Sequence, residues 1–214
     1  MTWAHCVPGT LHATGTMQTA GSAIKWFVEK FGVDYGAAAS VPPGANGLLF
    51  LPYLCGERTP WWNPDARGVF AGLNLASTKE EMYRAVLEGV AMSLAGIRDI
   101  FRETLDCGDT LRALGGGAQG ETLLSIMADA CGCRVETVEG VAEATSTGAV
   151  VTGGVACGLF ADFTATERFV RTAGEVAPDA GRTAFYAKRR RLTEKAYHAM
   201  ENIYAELAQE TKGK

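Results

Sequence analysis

Three consecutive glycines, Gly115, Gly116 and Gly117, follow a short apolar run at residues 111–114. After them Leu123, Leu124, Met127 and Ala128 fall on one helical stripe that begins near Glu121. A strand that stops at glycines and restarts as a helix presents bare backbone N–H groups at a helix N-terminus. Without β-carbons the glycines let a ligand come close to the main chain. The orphan amides and the positive dipole end of the helix favour an anion such as a phosphate. A strand-to-helix turn that needs glycine only for its backbone angles accounts for the same residues. A Walker-type phosphate loop needs Lys and Ser or Thr after its last glycine; Gly120 is followed by Glu121, so that reading fails. The dinucleotide pattern G-x-G-x-x-G is present as Gly115, Gly117 and Gly120, with Glu136 and Glu139 near the end of the next strand. Its context is poor, because Arg112 marks the preceding strand as half exposed.

A second place where a ligand could touch backbone is the small, flexible start of an earlier helix at Ala20, Gly21 and Ser22, with Lys25 one turn in on the same face. Other chemically tempting residues have structural explanations. Glu88 could serve as an acid, yet Arg84 lies four residues away and offers an ordinary helical ion pair. His5 and His12 have no carboxylate or nucleophile nearby in the sequence and read as surface or packing residues. Trp61 and Trp62, in the proline-rich and charged stretch 56–68, could stack on a sugar ring. The preferred reading makes them anchors of an irregular loop or a domain interface, with Glu57, Arg58, Asp65 and Arg67 pairing locally. Cys131 and Cys133 lack the C-x-x-C spacing and a second ligand pair that zinc requires. The basic run Lys188, Arg189, Arg190 and Arg191 reads as the solvated face of a terminal helix.

The elements that must position these residues alternate between strand and helix. Residues 1–17 suggest two short strands and a turn. Ile24, Phe27, Val28 and Phe31 define an amphipathic helix ending at Gly32. Residues 34–46 are a loop rich in Ala, Pro and Gly, followed by strands at 47–51 and 68–75. Thr78 and Glu81 form a capping box for a helix running to about Leu105. After the glycine motif, residues 134–138 are a strand. The nearly uncharged stretch 142–159 suits a helix packed tightly against a sheet, 160–181 is irregular, and Phe185 to Leu207 mark a closing amphipathic helix.

The chain has 214 residues, enough for one large domain or a domain with an insertion. Its net charge of −4 leaves no electrostatic footprint for nucleic acid. The six scattered cysteines fit reduced thiols and a cytoplasmic location. No signal peptide opens the chain and no apolar run is long enough to cross a membrane.

With these motifs in place, the chain resembles the C-terminal half of the FGGY carbohydrate kinases, and among them most closely the xylulokinases. The resemblance rests on the ordered set of Gly21 to Trp26, residues 47–60, Asp65 to Gly68, Arg84 to Val90, Gly115 to Ala118, and Ala128 with Asp129. It implies an α/β fold, an actin-like ATPase or ribonuclease H-like domain that is the C-terminal half of a two-domain sugar kinase. Residues 1–214 would be the nucleotide-binding domain, with an inserted interdomain segment at about 44–76 and the sugar-binding N-terminal domain absent. Carried over, Gly116, Gly117 and Ala118 would lie along the phosphates and ribose, Gln119 and Glu121 by the adenosine, and Gly21 and Lys25 on the nucleotide's other side. The implied cofactors are ATP and Mg²⁺, with the catalytic base and the metal ligands on the missing half, so this chain alone is expected to be inactive. Its implied partners are ATP or ADP and a sugar held by that half, with no nucleic acid and no membrane; a homodimer stays open. The expected reaction is phosphorylation of a ketopentose, D-xylulose, to its 5-phosphate. Gluconate or another ketose, a non-catalytic nucleotide-binding module and a nicotinamide-dinucleotide domain are the alternatives. Leu123 and Leu124 stand where family members carry a tryptophan, and Glu121 where a neutral polar residue is common.

Overall fold

The computed structural model describes residues 1–116, 120–140 and 143–212. Its longest buried element is helix α2 (Lys79–Thr104), which starts at the expected capping box. The Thr78 hydroxyl accepts from the Glu81 amide at 3.2 Å, and the Glu81 carboxylate accepts from the Thr78 amide at 3.0 Å. Glu80 and Glu81 in the first turn and Arg102 in the last complement the helix dipole. Helix α1 (Gly21–Phe31) buries Ala23, Ile24 and Phe27 against α2, with the Phe27 ring stacked 5.9 Å from Tyr83. Gly32 ends α1 in the left-handed conformation.

Two small antiparallel pairs flank these helices. Strands β1 (Thr2–Ala4) and β2 (Leu11–Ala13) form the expected N-terminal hairpin. Strands β3 (Leu49–Leu51) and β4 (Val69–Ala71) pair with Phe50 opposite Phe70. All three β3 residues are buried. The strand approaches α2 so closely at Gly89 that a β-carbon there would collide with the Phe50 carbonyl.

The glycine motif lies in a strand–helix–strand unit. Strand β5 (Thr110–Ala113) runs parallel to β6 (Arg134–Val138), and α3 (Glu121–Cys131) crosses between them. Arg112 is exposed as expected, 3.3 Å from Glu136 on the neighbouring strand. The buried Arg98 of α2 donates to the carbonyls of Cys131 and Gly108, both at 3.0 Å, so α2 fastens the unit at two points.

The C-terminal third departs from expectation in three ways. Residues 160–181 are not wholly irregular: a 3-10 helix, Phe163–Arg168, precedes β7 (Thr172–Val176), which pairs antiparallel with β6. Gly174 and Glu175 conceal this strand, whose residues are mostly exposed and carry no apolar alternation. Helix α4 (Ala144–Ala156) is not packed tightly on a sheet; only Val151 and Gly154 are buried among its described residues, and it leans on the 3-10 helix. Its composition suited burial, but little covers it. Helix α5 (Ala180–Lys212) buries Tyr186, Tyr197 and Tyr204. The basic run on it is not wholly solvated, because Arg189 turns inward to Glu88 and Arg190 sits 2.5 Å from Asp99.

Candidate functional site: a cleft between two helix N-termini

The N-terminal ends of α1 and α3 line one cleft of about 870 Å³. Specific small-molecule pockets commonly hold about 300–1,000 Å³, so a nucleotide-sized ligand fits. From α1 come Gly21 and Ile24; from the glycine turn and α3 come Gly116, Gly120, Glu121, Thr122 and Leu123. The sequence motifs that suggested backbone approach at residues 20–22 and after residue 114 therefore meet in space.

The two rims differ chemically. At α3 the N-cap is Gly120, which has no side chain to satisfy the amides of the first turn. A bond runs from the Leu124 amide to the Gly120 carbonyl at 3.0 Å, and the N–H groups of residues 121–123 stand ahead of it in the first turn of α3. Gly115, in the left-handed region at φ +79°, turns the chain into this end. A β-carbon built on Gly21 or Gly116 would meet nothing within 4 Å among the described residues. These glycines thus keep main chain accessible on two facing helices, a cradle suited to phosphate.

The other rim is apolar. Tyr35, Gly36 and Ala39 form a wall that continues into Tyr83 and Leu87 of α2. Burial pushes the Tyr83 phenol up to about 12, so its hydroxyl stays protonated and donates to the Tyr35 carbonyl at 3.4 Å. Sequence reasoning missed this wall, because residues 34–46 looked only like a loop and nothing singled out Tyr83 and Leu87. The signal available was an aromatic residue, Tyr35, followed at once by the small residues 36–39.

Of the residues expected at the site, Gly21, Gly116 and Glu121 line this cleft. Lys25 is outside its lining: its ammonium is 68% exposed and lies 3.7 Å from Glu29. Gly117, Ala118 and Gln119 lie outside the described residues. Trp61 is an anchor, with its ring stacked 4.1 Å from Tyr197 and its indole N–H donating to the Tyr53 hydroxyl at 3.0 Å. The charges around it use backbone: Glu57 accepts from the amides of Gln18 and Arg58, and Arg67 donates to the carbonyls of Pro64 and Ala66. Glu88 makes the expected helical ion pair with Arg84, at 2.9 Å, and is completely buried.

The domain's mixed helices and sheets are consistent with the actin-like ATPase fold of the sugar-kinase domains that it matches. The description "FGGY family of carbohydrate kinases, C-terminal domain" matches residues 2–157, and the chain belongs to this family. It is 34% identical over 174 residues to the xylulose kinase of Lactococcus lactis, covering 78% of this chain and 34% of that one. It is 33% identical to a gluconokinase of Bacillus licheniformis, covering 91% of this chain and 41% of the relative. The solved xylulose kinase of Rhodospirillum rubrum superposes with a TM-score of 0.82 at 26% identity, over 95% of this chain and 43% of that one. The chain thus spans well under half the length of the relatives it matches.

The size of the cleft and its lining, which combines bare backbone at Gly21, Gly116 and Gly120 with apolar side chains such as Ile24, Tyr83 and Leu87, fit the adenine nucleotide that this family membership implies. Among the described residues, no helix is long and apolar enough to cross a membrane.

Proposed function

We propose that residues 1–214 form the nucleotide-binding domain of an ATP-dependent sugar kinase, with the segment at about 44–76 as its interdomain insertion. The carrying observation is the meeting of Gly21 with Gly116, Gly120 and the uncapped start of α3 around one cleft. In this reading the amides at the start of α3 bind and partly neutralise the phosphates. Glycine at 21 and 116 permits their close approach, and the Tyr35–Tyr83 side receives the base. Gln119 and Glu121 would contact the adenosine on its ribose side, next to the phosphates, Gly117 and Ala118 the phosphates and ribose, and Lys25 would close over the nucleotide from α1.

ATP supplies the phosphoryl group, and transfer of such a group depends chiefly on positioning and charge stabilisation. The acceptor hydroxyl, its base and Mg²⁺ would be held by the part of the relatives that this chain does not span. The proposed acceptor is D-xylulose, supported by the xylulose kinases among the relatives; the gluconokinase supports gluconate as the second reading. Glu136, which a nicotinamide-dinucleotide site would need for ribose, sits instead beside Arg112 on the paired strand.

Melting the pure chain with Mg-ADP, Mg-ATP and NAD in parallel tests the reading. A ligand at about one hundred times its dissociation constant stabilises by about 2.7 kcal/mol, or roughly 5–10 °C for a domain of this size. A shift with adenine nucleotides and none with NAD is expected. A shift with NAD alone refutes the proposal.

A further inference from the structure

The apolar wall of the cleft belongs to a segment with little regular structure, whose own bonds are short-range turns. Residues 34–47 contain only two short 3-10 helices, Ala37–Ser40 and Ala45–Gly47, separated by a proline–glycine turn. Besides the buried Ala38 and Ala45, a buried polar cluster on α2 seats this segment. The Glu88 carboxylate accepts from the Gly44 amide at 2.8 Å, from Arg84 Nε at 2.9 Å and from the Tyr186 hydroxyl at 3.0 Å. Arg84 donates onward to the Tyr186 oxygen at 2.9 Å and to the Ala38 carbonyl at 3.5 Å. The cluster therefore grips the segment at two points, at Ala38 beside the cleft-lining Ala39 and at Gly44 beyond it, in addition to the Tyr83 bond to the Tyr35 carbonyl. Arg189 of α5 completes the cluster, 3.7 Å from Glu88 Oε2 and bonded to the Leu48 carbonyl.

Holding α2 against α5 does not require charge. Buried ion pairs carry a large desolvation cost, and apolar residues of similar volume often replace them without loss of stability. A cluster that spends its bonds on the amide and carbonyl of one loop does something apolar packing cannot do, because it fixes that loop's main chain in one place. Burial works against the Arg84 charge, but the bonds to Glu88 and Tyr186 outweigh it and raise its pKa, so the cation persists.

We propose that Arg84 and Glu88 are positioning residues for ligand recognition: they hold the main chain of the Tyr35–Ala39 wall in place and thereby govern affinity for the nucleoside end, not the phosphate end. This rests on the nucleotide reading of the cleft. A residue that merely stabilised the fold would weaken every ligand alike, whereas a wall-positioning residue weakens only ligands with a base.

The test is calorimetric titration of the wild-type chain, Glu88→Gln and Tyr186→Phe with Mg-ADP and with inorganic tripolyphosphate, well below each melting temperature. Tyr186→Phe removes only the bridging hydroxyl, so it serves if Glu88→Gln does not fold. The expected result is about tenfold weaker Mg-ADP binding, equivalent to about 1.4 kcal/mol, with tripolyphosphate binding unchanged and faster hydrogen exchange confined to residues 34–47. Unchanged Mg-ADP binding, or an equal loss for both ligands, overturns the positioning role while leaving the nucleotide reading in place. A wild-type chain that binds tripolyphosphate but not Mg-ADP overturns the nucleotide reading itself, and the positioning role with it.

Discussion

Helix α2 carries two internal glycines for which the structure predicts opposite responses to the same substitution. At Gly96 a β-carbon would meet nothing within 4 Å, so Gly96→Ala adds a methyl group without collision. Alanine is favoured over glycine in a helix interior by about 0.8–1.0 kcal/mol, and stability should rise by that amount. At Gly89 the same methyl group meets the carbonyl oxygen of Phe50 at far less than van der Waals distance, and next the Phe50 carbonyl carbon at 3.2 Å. The obstacle is backbone of the fully buried strand β3, which cannot rotate aside as a side chain would. Overpacking of this kind costs about 1–3 kcal/mol. With the collision near the upper limit, subtracting the propensity gain leaves a net loss of about 2 kcal/mol. The pair should therefore differ by about 3 kcal/mol, or roughly 6–12 °C in melting temperature for a domain of this length. Urea and thermal melts of the two variants beside the wild type measure it. Equal shifts, or a stabilised Gly89→Ala, would refute the close β3–α2 contact on which the placement of the Glu88 cluster also depends.

Three further outcomes are expected. Tyr35→Ala removes an aromatic face that is 61% exposed at the cleft's rim; Mg-ADP binding should weaken about tenfold, within the roughly 1–3 kcal/mol of base stacking, with the melting temperature almost unmoved, and a large drop in stability would show Tyr35 to be a core residue. The Glu57 carboxyl is pushed above its ordinary value by burial, against which the bonds from the Arg58 and Gln18 amides pull it back. A raised folded-state pKa contributes stability that is full below the unfolded value and lost as pH rises through the folded one. Glu57→Gln should thus be relatively more stable, against the wild type, at pH 7.5 than at pH 4; denaturant melts at the two pH values that give the opposite order would refute the burial argument. Asp129 is buried, accepts from the Asp179 amide at 2.8 Å and lies 2.5 Å from Arg182, tying α3 to the start of α5. Asp129→Asn should cost about 1–3 kcal/mol in urea unfolding, and a neutral result would mean that this tie contributes nothing.

Much of this architecture was legible because it rests on local chemistry. The Thr78–Glu81 box fixed the start of α2, Gly32 the end of α1, and the glycines before Glu121 the strand-to-helix turn. Each acts within a few residues, so its spacing survives in one dimension. The convergence of Gly21 with Gly116 was legible only as two separate hints, since nothing in either motif encodes the other's position. The wall at Tyr35, Gly36 and Ala39 was invisible for a related reason: its shape comes from Glu88 and Arg84, more than forty residues away in the chain. The Glu88–Arg84 spacing gave the helical ion pair, and only the tertiary fold places Tyr186 and Arg189 over it. Strand β7 was hidden because it pairs by backbone at the edge of a sheet, which asks little of its side chains. Helix α4 misled in the opposite direction, with a composition suited to burial and a largely exposed surface.

The central claim is that the facing starts of α1 and α3 hold the phosphates of an adenine nucleotide, and substitution of the two open glycines tests it most directly. Gly21→Val and Gly116→Val place a β-carbon where nothing lies within 4 Å among the described residues, so both should fold and melt near the wild-type temperature. Titration with Mg-ADP should show binding by the wild type and its loss in both variants. Undiminished Mg-ADP binding by the two folded variants would contradict the account, because the phosphates would then lie elsewhere.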